Sequence, residues 1–154
     1  MNHTEKAKEL FQRGYNCSQA VFLAFSDVTG LDEETAARIA SSFGGGMGRL
    51  REVCGAVSGA FMVAGFLYGY ADETDRAAKA AHYALIQEIA RRFRERNGSI
   101  VCRELLGIEA RDSGCVPTER TKDFYKRRPC VQMVQDAAEI MDAIIKEKGC
   151  PHGK

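Results

Sequence analysis

The sequence predicts an all-α fold, in which a single domain of about five to six helices surrounds a buried, glycine-rich apolar helix. Apolar residues recur at helical spacing along almost the whole chain, and no alternating strand pattern of useful length interrupts them. Helix start and stop signals divide this pattern into segments. A length of 154 residues suits one domain with a sizeable core, so we expect residues 1–154 to form a single helical domain.

The first two predicted helices are short and amphipathic. The first ends at Gly14, and the second runs from about Cys17 to Val28. Asn16 is a favourable N-cap for the second helix, because Gln19 follows three residues later as in a capping box. The apolar face of the first helix consists of Ala7, Leu10 and Phe11.

A third predicted helix, beginning near Asp32, is followed by a glycine loop and a strongly apolar helix from Cys54 to Tyr70. No charged residue lies in 53–71, a length that would just span a bilayer. Glycines, a serine and tyrosines reduce its hydrophobicity, so we interpret this segment as the central core helix and expect no membrane span. The expected inward face of the third helix is Ala36, Ile39, Ala40 and Phe43.

Glycines at four-residue spacing form smooth patches along the central helix. Gly55-xxx-Gly59 and Gly65-xxx-Gly69 both follow this spacing. Small residues allow helix backbones to approach closely, so they predict close packing of other helices around this one. The partner could also be a second copy of this helix in a homodimer, and the alternative to packing is close approach of a ligand to the backbone.

The second half of the chain predicts one long helix, one short piece and a last long helix. Acidic residues in 72–75 and arginines in 91–96 complement the helix dipole of the first, and Asn97-Gly98 ends it. A short helical piece follows Ser99, and a loop through Gly114 and Pro117 leads to the last helix. That helix begins near Pro129. The expected buried residues are Ala77, Ala81, Ala84, Leu85, Ile89 and Phe93 in the long helix, and Val134, Ala137, Ala138, Met141 and Ile145 in the last.

Composition argues against nucleic-acid binding, and the N-terminal residues predict a cytoplasmic location. The 22 basic and 21 acidic residues give a formal net charge of +1, unlike the basic footprint of a nucleic-acid-binding protein. Residues 1–10 are polar and lack a hydrophobic signal core, so we expect a cytoplasmic protein. Thiols stay reduced there, which favours metal binding or redox chemistry over a disulfide scaffold for the six cysteines.

Four of the six cysteines are predicted in, or close to, the first turns of four different helices. These four are Cys17, Cys54, Cys102 and Cys130, whereas Cys115 lies in a loop and Cys150 follows the last helix. A helix N-terminus stabilises a thiolate, and neighbouring basic residues such as Arg49, Arg51, Arg103 and Arg128 reinforce this effect. If the four helix starts converge, they form a four-thiolate site.

Three functions remain open for such a site. The leading hypothesis is an iron–sulfur cluster, or another metal, bound by Cys17, Cys54, Cys102 and Cys130 and used for electron transfer with a redox partner. The second is thiol–disulfide or peroxide chemistry without a metal, in which Cys54 attacks and a neighbouring cysteine such as Cys17 resolves. The third is a structural zinc site, or a helical interaction module. The expected supporting residues are Asn16, Gly44, Gly45, Gly46, Gly48, Gly55 and Gly59.

The same residues carry a resemblance to a known family. The matching segments are Gly14-Tyr15-Asn16-Cys17-Ser18-Gln19-Ala20-Val21, Phe43-Gly44-Gly45-Gly46-Met47-Gly48 and Cys54-Gly55-Ala56-Val57-Ser58-Gly59-Ala60, and Cys102 and Cys130 follow them. Over nearly its whole length the chain resembles the C_GCAxxG_C_C family of redox-active proteins. The resemblance implies that these four are the family's cysteines, and leaves Cys115 and Cys150 outside the pattern. Similar domains joined to cytochrome-type modules have cysteines that look like ligands of an iron centre, which implies electron transfer by analogy.

Overall fold

Helices account for nearly all regular structure in this protein. The structure, a computed structural model, describes residues 2–107 and 114–151. Besides a 3-10 turn (Ser41–Phe43) and a distorted helical turn (Gly44–Met47), the described residues form nine α-helices. The all-α prediction is confirmed, with more helices than the five to six expected. They are α1 (His3–Gln12), α2 (Cys17–Ala24), α3 (Ser26–Thr29), α4 (Glu33–Ala40), α5 (Gly55–Tyr68), α6 (Arg76–Asn97), α7 (Cys102–Leu106), α8 (Lys122–Arg127) and α9 (Cys130–Lys148).

Side-chain hydrogen bonds to the backbone accompany both of the helices that we did not expect. The helix expected over 17–28 is divided into α2 and α3, and the Ser26 hydroxyl donates a hydrogen bond to the Leu23 carbonyl oxygen at 2.8 Å beside the break. Helix α8 lies within the stretch expected to be a loop. It begins at Thr121, whose hydroxyl accepts a hydrogen bond from the Phe124 N–H at 3.1 Å and so caps the helix.

The predicted start of α2 is confirmed in detail. The Asn16 side chain accepts a hydrogen bond from the Gln19 N–H at 2.9 Å, and the Gln19 side chain accepts one from the Asn16 N–H at 3.0 Å. These reciprocal bonds form a capping box. They fix the orientation of the first turn of α2, which begins with Cys17.

Helix α5 is the buried centre of the fold, as expected, and packs against α2 and α9. A Cβ atom at Gly59 would lie 2.8 Å from the Ser18 carbonyl oxygen and the Val21 Cβ, so glycine is needed for the contact with α2. Among the described atoms, none lies within 4 Å of such a position at Gly65, so the second glycine pair does not serve the same packing. No helix in the described part of the chain has the length and apolar character that crossing a membrane requires.

The predicted inner faces of two helices are partly wrong. Ala77, Ala81 and Ala84 of α6 are exposed, and so is Ile39 of α4 at 47%. In α6 the reason is the relative length of its neighbour. Arg92 pairs with Glu147 at 2.7 Å, one residue before α9 ends, so the N-terminal half of α6 extends beyond α9. The C-terminal half buries Ile89 and Phe93 as expected.

One short backbone pairing positions the starts of α5 and α7. Val53 and Val101 form an isolated antiparallel bridge, the only β pairing among the described residues. The Cys54 N–H donates to the Ile100 carbonyl oxygen at 2.7 Å, and the Cys102 N–H donates to the Glu52 carbonyl oxygen at 2.6 Å. The bridge therefore holds the N-termini of two helices, with a cysteine at each, side by side.

Candidate functional site

Five of the six cysteines line a single cavity of about 300 Å³. Four of them are the cysteines selected from the sequence, Cys17, Cys54, Cys102 and Cys130. The fifth is Cys115, which sequence reasoning left out. The four helix starts therefore converge on one cavity.

The expected position of the four cysteines on their helices is confirmed. Cys17, Cys102 and Cys130 are the first residues of α2, α7 and α9, and Cys54 is the N-cap of α5. Cys54 and Cys102 are only 6% and 7% exposed, whereas Cys17 and Cys130 are half-buried. The cavity is therefore lined by sulfur both at its base and closer to its opening.

Glycines allow the surrounding backbone to approach these sulfurs. A Cβ atom at Gly55 would lie 2.4 Å from the Cys17 Sγ, and one at Gly46 would lie 2.6 Å from the Cys102 Cβ. Gly46 also has a φ of +71°, which other residues rarely adopt. Of the expected supporting residues, Asn16, Gly44, Gly45, Gly48 and Gly55 line the cavity. Gly46 lies behind Cys102, and Gly59 serves the packing of α5 on α2.

Burial governs the protonation of the thiols and overrides the effect of the helix N-termini. It raises the pKa of Cys54 well above its ordinary value, although the backbone N–H groups of Ala56 and Val57 favour the thiolate. Burial also raises the pKa of Cys17, and the N–H of Gly45 opposes this only in part. The expected lowering of these pKa values is therefore wrong for the metal-free protein, because the lost hydration of a thiolate outweighs the N–H donors.

At Cys130, burial again raises the pKa of the thiol, and here charged neighbours also affect it. Burial, and after it the nearby Cys17 and Cys102, raise the pKa of Cys130 to about 12, although Arg128 and Arg120 act in the opposite direction. The cysteines thus influence one another electrostatically across the cavity. Thiolates at these positions need positive charge in addition to the arginines.

Arg51 is the most deeply buried charged group at the cavity, with only 3% of its surface exposed. Its Nη1 lies 3.8 Å from the Cys102 Sγ, within the range of an N–H···S hydrogen bond. The backbone of Arg51 has a φ of +62°, a left-handed conformation that is uncommon for a residue with a side chain. Such backbone strain is typical of functional positions, and here it accompanies a guanidinium directed at a sulfur.

The cavity wall carries a strong excess of positive charge. Its described lining contains four arginines and neither aspartate nor glutamate: Arg49, Arg51, Arg120 and Arg128. Arg120 was not predicted from the sequence. It donates hydrogen bonds to the Phe11 and Tyr15 carbonyl oxygens at 2.7 and 3.0 Å and lies 4.2 Å from the centre of the Phe11 ring. No local sequence signal marks it, because the two carbonyl oxygens to which it donates lie 109 and 105 residues away in the sequence.

Arg103, one of the basic residues considered in the sequence, has a supporting role. It pairs with Glu52 at 3.2 Å and donates to the Arg51 carbonyl oxygen, so it supports the backbone behind the site. Among the described side chains, no three cysteine, histidine, aspartate or glutamate residues are grouped to hold a metal ion. The sulfurs are instead distributed around the cavity wall.

The fold and the site together define an all-α protein with a cysteine-lined and positively charged cavity. Residues 15–144 match the family described as "Putative redox-active protein (C_GCAxxG_C_C)", and the chain belongs to that family. In this chain the central motif reads Cys54-Gly55-Ala56-Val57-Ser58-Gly59, with the cysteine before the first glycine. No curated protein and no solved structure matches the chain.

Proposed function

We propose that this redox-active protein transfers electrons through an iron–sulfur cluster ligated by Cys17, Cys54, Cys102 and Cys130. The observation that supports this most directly is the cavity, which combines sulfur ligands from four helices with four arginines and no carboxylate in its described lining. Thiolates are the ligands that iron–sulfur clusters use. Four guanidinium groups with no carboxylate beside them in the described lining favour negative charge in the cavity. The arginines therefore suit a centre that carries net negative charge once its four thiolate ligands are included.

The size and the backbone of the site also support a cluster. A cavity of about 300 Å³ has room for a group of several atoms rather than a single ion. The N–H groups of Ala56 and Val57 at Cys54, and of Gly45 at Cys17, are donors of the kind that tune such a centre. A bound cluster would supply reversible one-electron chemistry. This chain's own residues provide the sulfurs, exclude water and compensate charge.

The protonation of the thiols favours this proposal over nucleophilic chemistry at Cys54. Its pKa is raised well above the ordinary value by burial, so its thiol stays protonated near neutral pH in the metal-free protein. A cationic metal centre reverses this balance, because ligation replaces the proton on each sulfur. The proposal also includes a cytoplasmic location and a separate redox partner.

Anaerobic reconstitution tests the proposal. The full chain is purified without oxygen and supplied with iron and sulfide, and iron content and the visible absorption spectrum are measured. We expect a coloured, iron-containing protein, and expect Cys102→Ala to lose both iron and colour. Cys150→Ala is the matched control, since Cys150 is not among the residues that line the cavity. A colourless, iron-free wild-type protein would refute the cluster, and stoichiometric zinc in its place would favour a structural metal.

A further inference from the structure

Cys115 is an exposed thiol at the cavity that the family pattern does not include. It differs from the four family cysteines in accessibility, since Cys54 and Cys102 are buried and Cys17 and Cys130 half-buried. A molecule arriving from solvent therefore meets Cys115 before it meets the other sulfurs. Cys150, the other cysteine outside the family pattern, does not line the cavity.

Arg49 holds the segment that contains Cys115 against the cavity. Its Nη1 donates to the Gly114 carbonyl oxygen at 2.6 Å and to the Val116 carbonyl oxygen, and its Nη2 donates to the Thr118 hydroxyl at 3.2 Å. These bonds fall on both sides of Cys115. Pro117 and Thr118 line the cavity with it. The thiol therefore lies on a stretch of chain that is hydrogen-bonded to Arg49 on both sides.

An exposed thiol beside a positively charged cavity is suited to exchange with a disulfide. We infer that, in the metal-free protein, Cys115 reacts with an anionic disulfide of low molecular weight. A cavity of about 300 Å³ is at the lower end of the size of small-molecule sites, and its arginines favour an anion. This goes beyond the proposed function, because it concerns the chain without a cluster and a cysteine that is not a proposed ligand.

The exchange is a single balanced step. The Cys115 thiolate attacks one sulfur of the disulfide, forms a mixed disulfide and releases one small thiol, which takes its proton from water. One S–S bond breaks and one forms. The Cys115 sulfur is oxidised, and one half of the small disulfide is reduced to a thiol.

Mass spectrometry of the full chain tests this inference. The protein is treated with chelator and reductant, desalted, mixed with oxidised glutathione and quenched with acid at intervals. We expect a glutathione adduct that peptide mapping locates on Cys115. Cys115→Ser should slow adduct formation at least about tenfold, whereas Cys150→Ser should react at the wild-type rate. Because Cys115 is exposed, the serine variant is expected to fold, which circular dichroism checks.

Cystamine, a cationic disulfide, tests the charge preference. At low salt we expect it to react more slowly than oxidised glutathione, and added salt should reduce the difference. The inference is overturned by a Cys115→Ser variant that reacts at the wild-type rate, or by adducts that peptide mapping places on other cysteines and not on Cys115. If cystamine reacts as fast as oxidised glutathione or faster, the inference that the substrate is anionic is overturned. The iron reconstitution described above is independent of all these outcomes.

Discussion

The pKa of Cys130, raised by burial to about 12, makes its reactivity unusually dependent on pH. Only the thiolate reacts with iodoacetamide. In the metal-free protein we therefore expect the alkylation rate of Cys130 to rise about tenfold per pH unit from pH 7 to beyond pH 10, followed by peptide mass spectrometry. The chain unfolded in urea is the control, where the rate should level off near the ordinary thiol pKa of about 8.5. A plateau at that pH in the folded protein would contradict the prediction.

Arg51 is expected to set the redox potential of the reconstituted protein. Its guanidinium lies 3.8 Å from the Cys102 sulfur, and a nearby positive charge stabilises the more negative, reduced state. Replacing it by an uncharged side chain of similar length, Arg51→Met, should lower the midpoint potential by on the order of tens of millivolts. Arg51→Lys keeps the charge and should lower it less. Anaerobic redox titration measures both, and an unchanged potential in Arg51→Met would show that the guanidinium does not act on the centre.

At the residue level, the sequence predicts the sulfurs better than the charges around them. Cys17 and Cys54 are marked by local signals, a capping box and the end of a glycine loop. Arg51 is also close to Cys54 in sequence, but its burial depends on a left-handed backbone and on the bridge to residues near Cys102. Arg120 and Cys115 reach the cavity only through tertiary contacts, which no local pattern encodes.

Two glycines of α5 allow a matched test of why this helix is rich in glycine. A Cβ atom at Gly55 would lie 2.4 Å from the Cys17 Sγ and 2.8 Å from the Phe43 carbonyl oxygen, whereas one at Gly65 would have no neighbour within 4 Å in the described part of the chain. Gly55→Ala should therefore destabilise the protein by about 1–3 kcal/mol through overpacking. Gly65→Ala should stabilise it by about 0.5–1 kcal/mol, because alanine favours the helix. Urea denaturation measures both, and a neutral Gly55→Ala would contradict the close contact.

His3 joins three helices through two carboxylates. It lies 2.6 Å from Asp142 of α9 and 2.9 Å from Asp27 of α3. The hydrogen bond to Asp142, followed by that to Asp27, raises the pKa of His3 above its ordinary value, although burial opposes this. The stabilisation from protonated His3 is therefore complete below the unfolded pKa of about 6.5 and is lost as pH rises through the folded pKa.

His3→Gln tests this connection. We expect the difference in unfolding free energy between wild type and His3→Gln to be greatest near pH 5.5 and to shrink by pH 8.5. Because Asp27 and Asp142 are partly exposed, the effect should stay below about 1 kcal/mol. Urea denaturation at each pH measures it, and His82→Gln, in α6, is the control. A difference that does not vary with pH would exclude a role for the charge.

The existence and order of the elements follow from sequence patterns, but their lengths and outer faces depend on their neighbours. The capping box of α2 and the left-handed Gly98 that ends α6 are local features and were predicted. The exposure of Ala77 and Ala81 was not, because helical periodicity shows which residues share a face and not how far the adjoining helix extends. In α6 that limit is set by the end of α9.

For the molecule as a whole, the four proposed ligands come from helices that are far apart in sequence. Cys17, Cys54, Cys102 and Cys130 begin or cap α2, α5, α7 and α9. Among the described residues, a β bridge joins only the starts of α5 and α7. A group bound by all four sulfurs would join α2 and α9 to that pair. Since the unfolded chain cannot present the same arrangement, binding should stabilise the folded state.

Thermal unfolding provides the measurement. If binding adds about 4 kcal/mol, the melting temperature of the reconstituted protein should exceed that of the metal-free protein by about 10 °C. The increase should be larger at pH 8.5 than at pH 6.5, because ligation releases the protons that burial retains on Cys54 and Cys130. Cys54→Ala should abolish the increase, whereas Cys150→Ala should preserve it. Equal melting temperatures with and without bound iron would mean that the metal does not join these helices, since binding by all four sulfurs cannot leave the folding equilibrium unchanged.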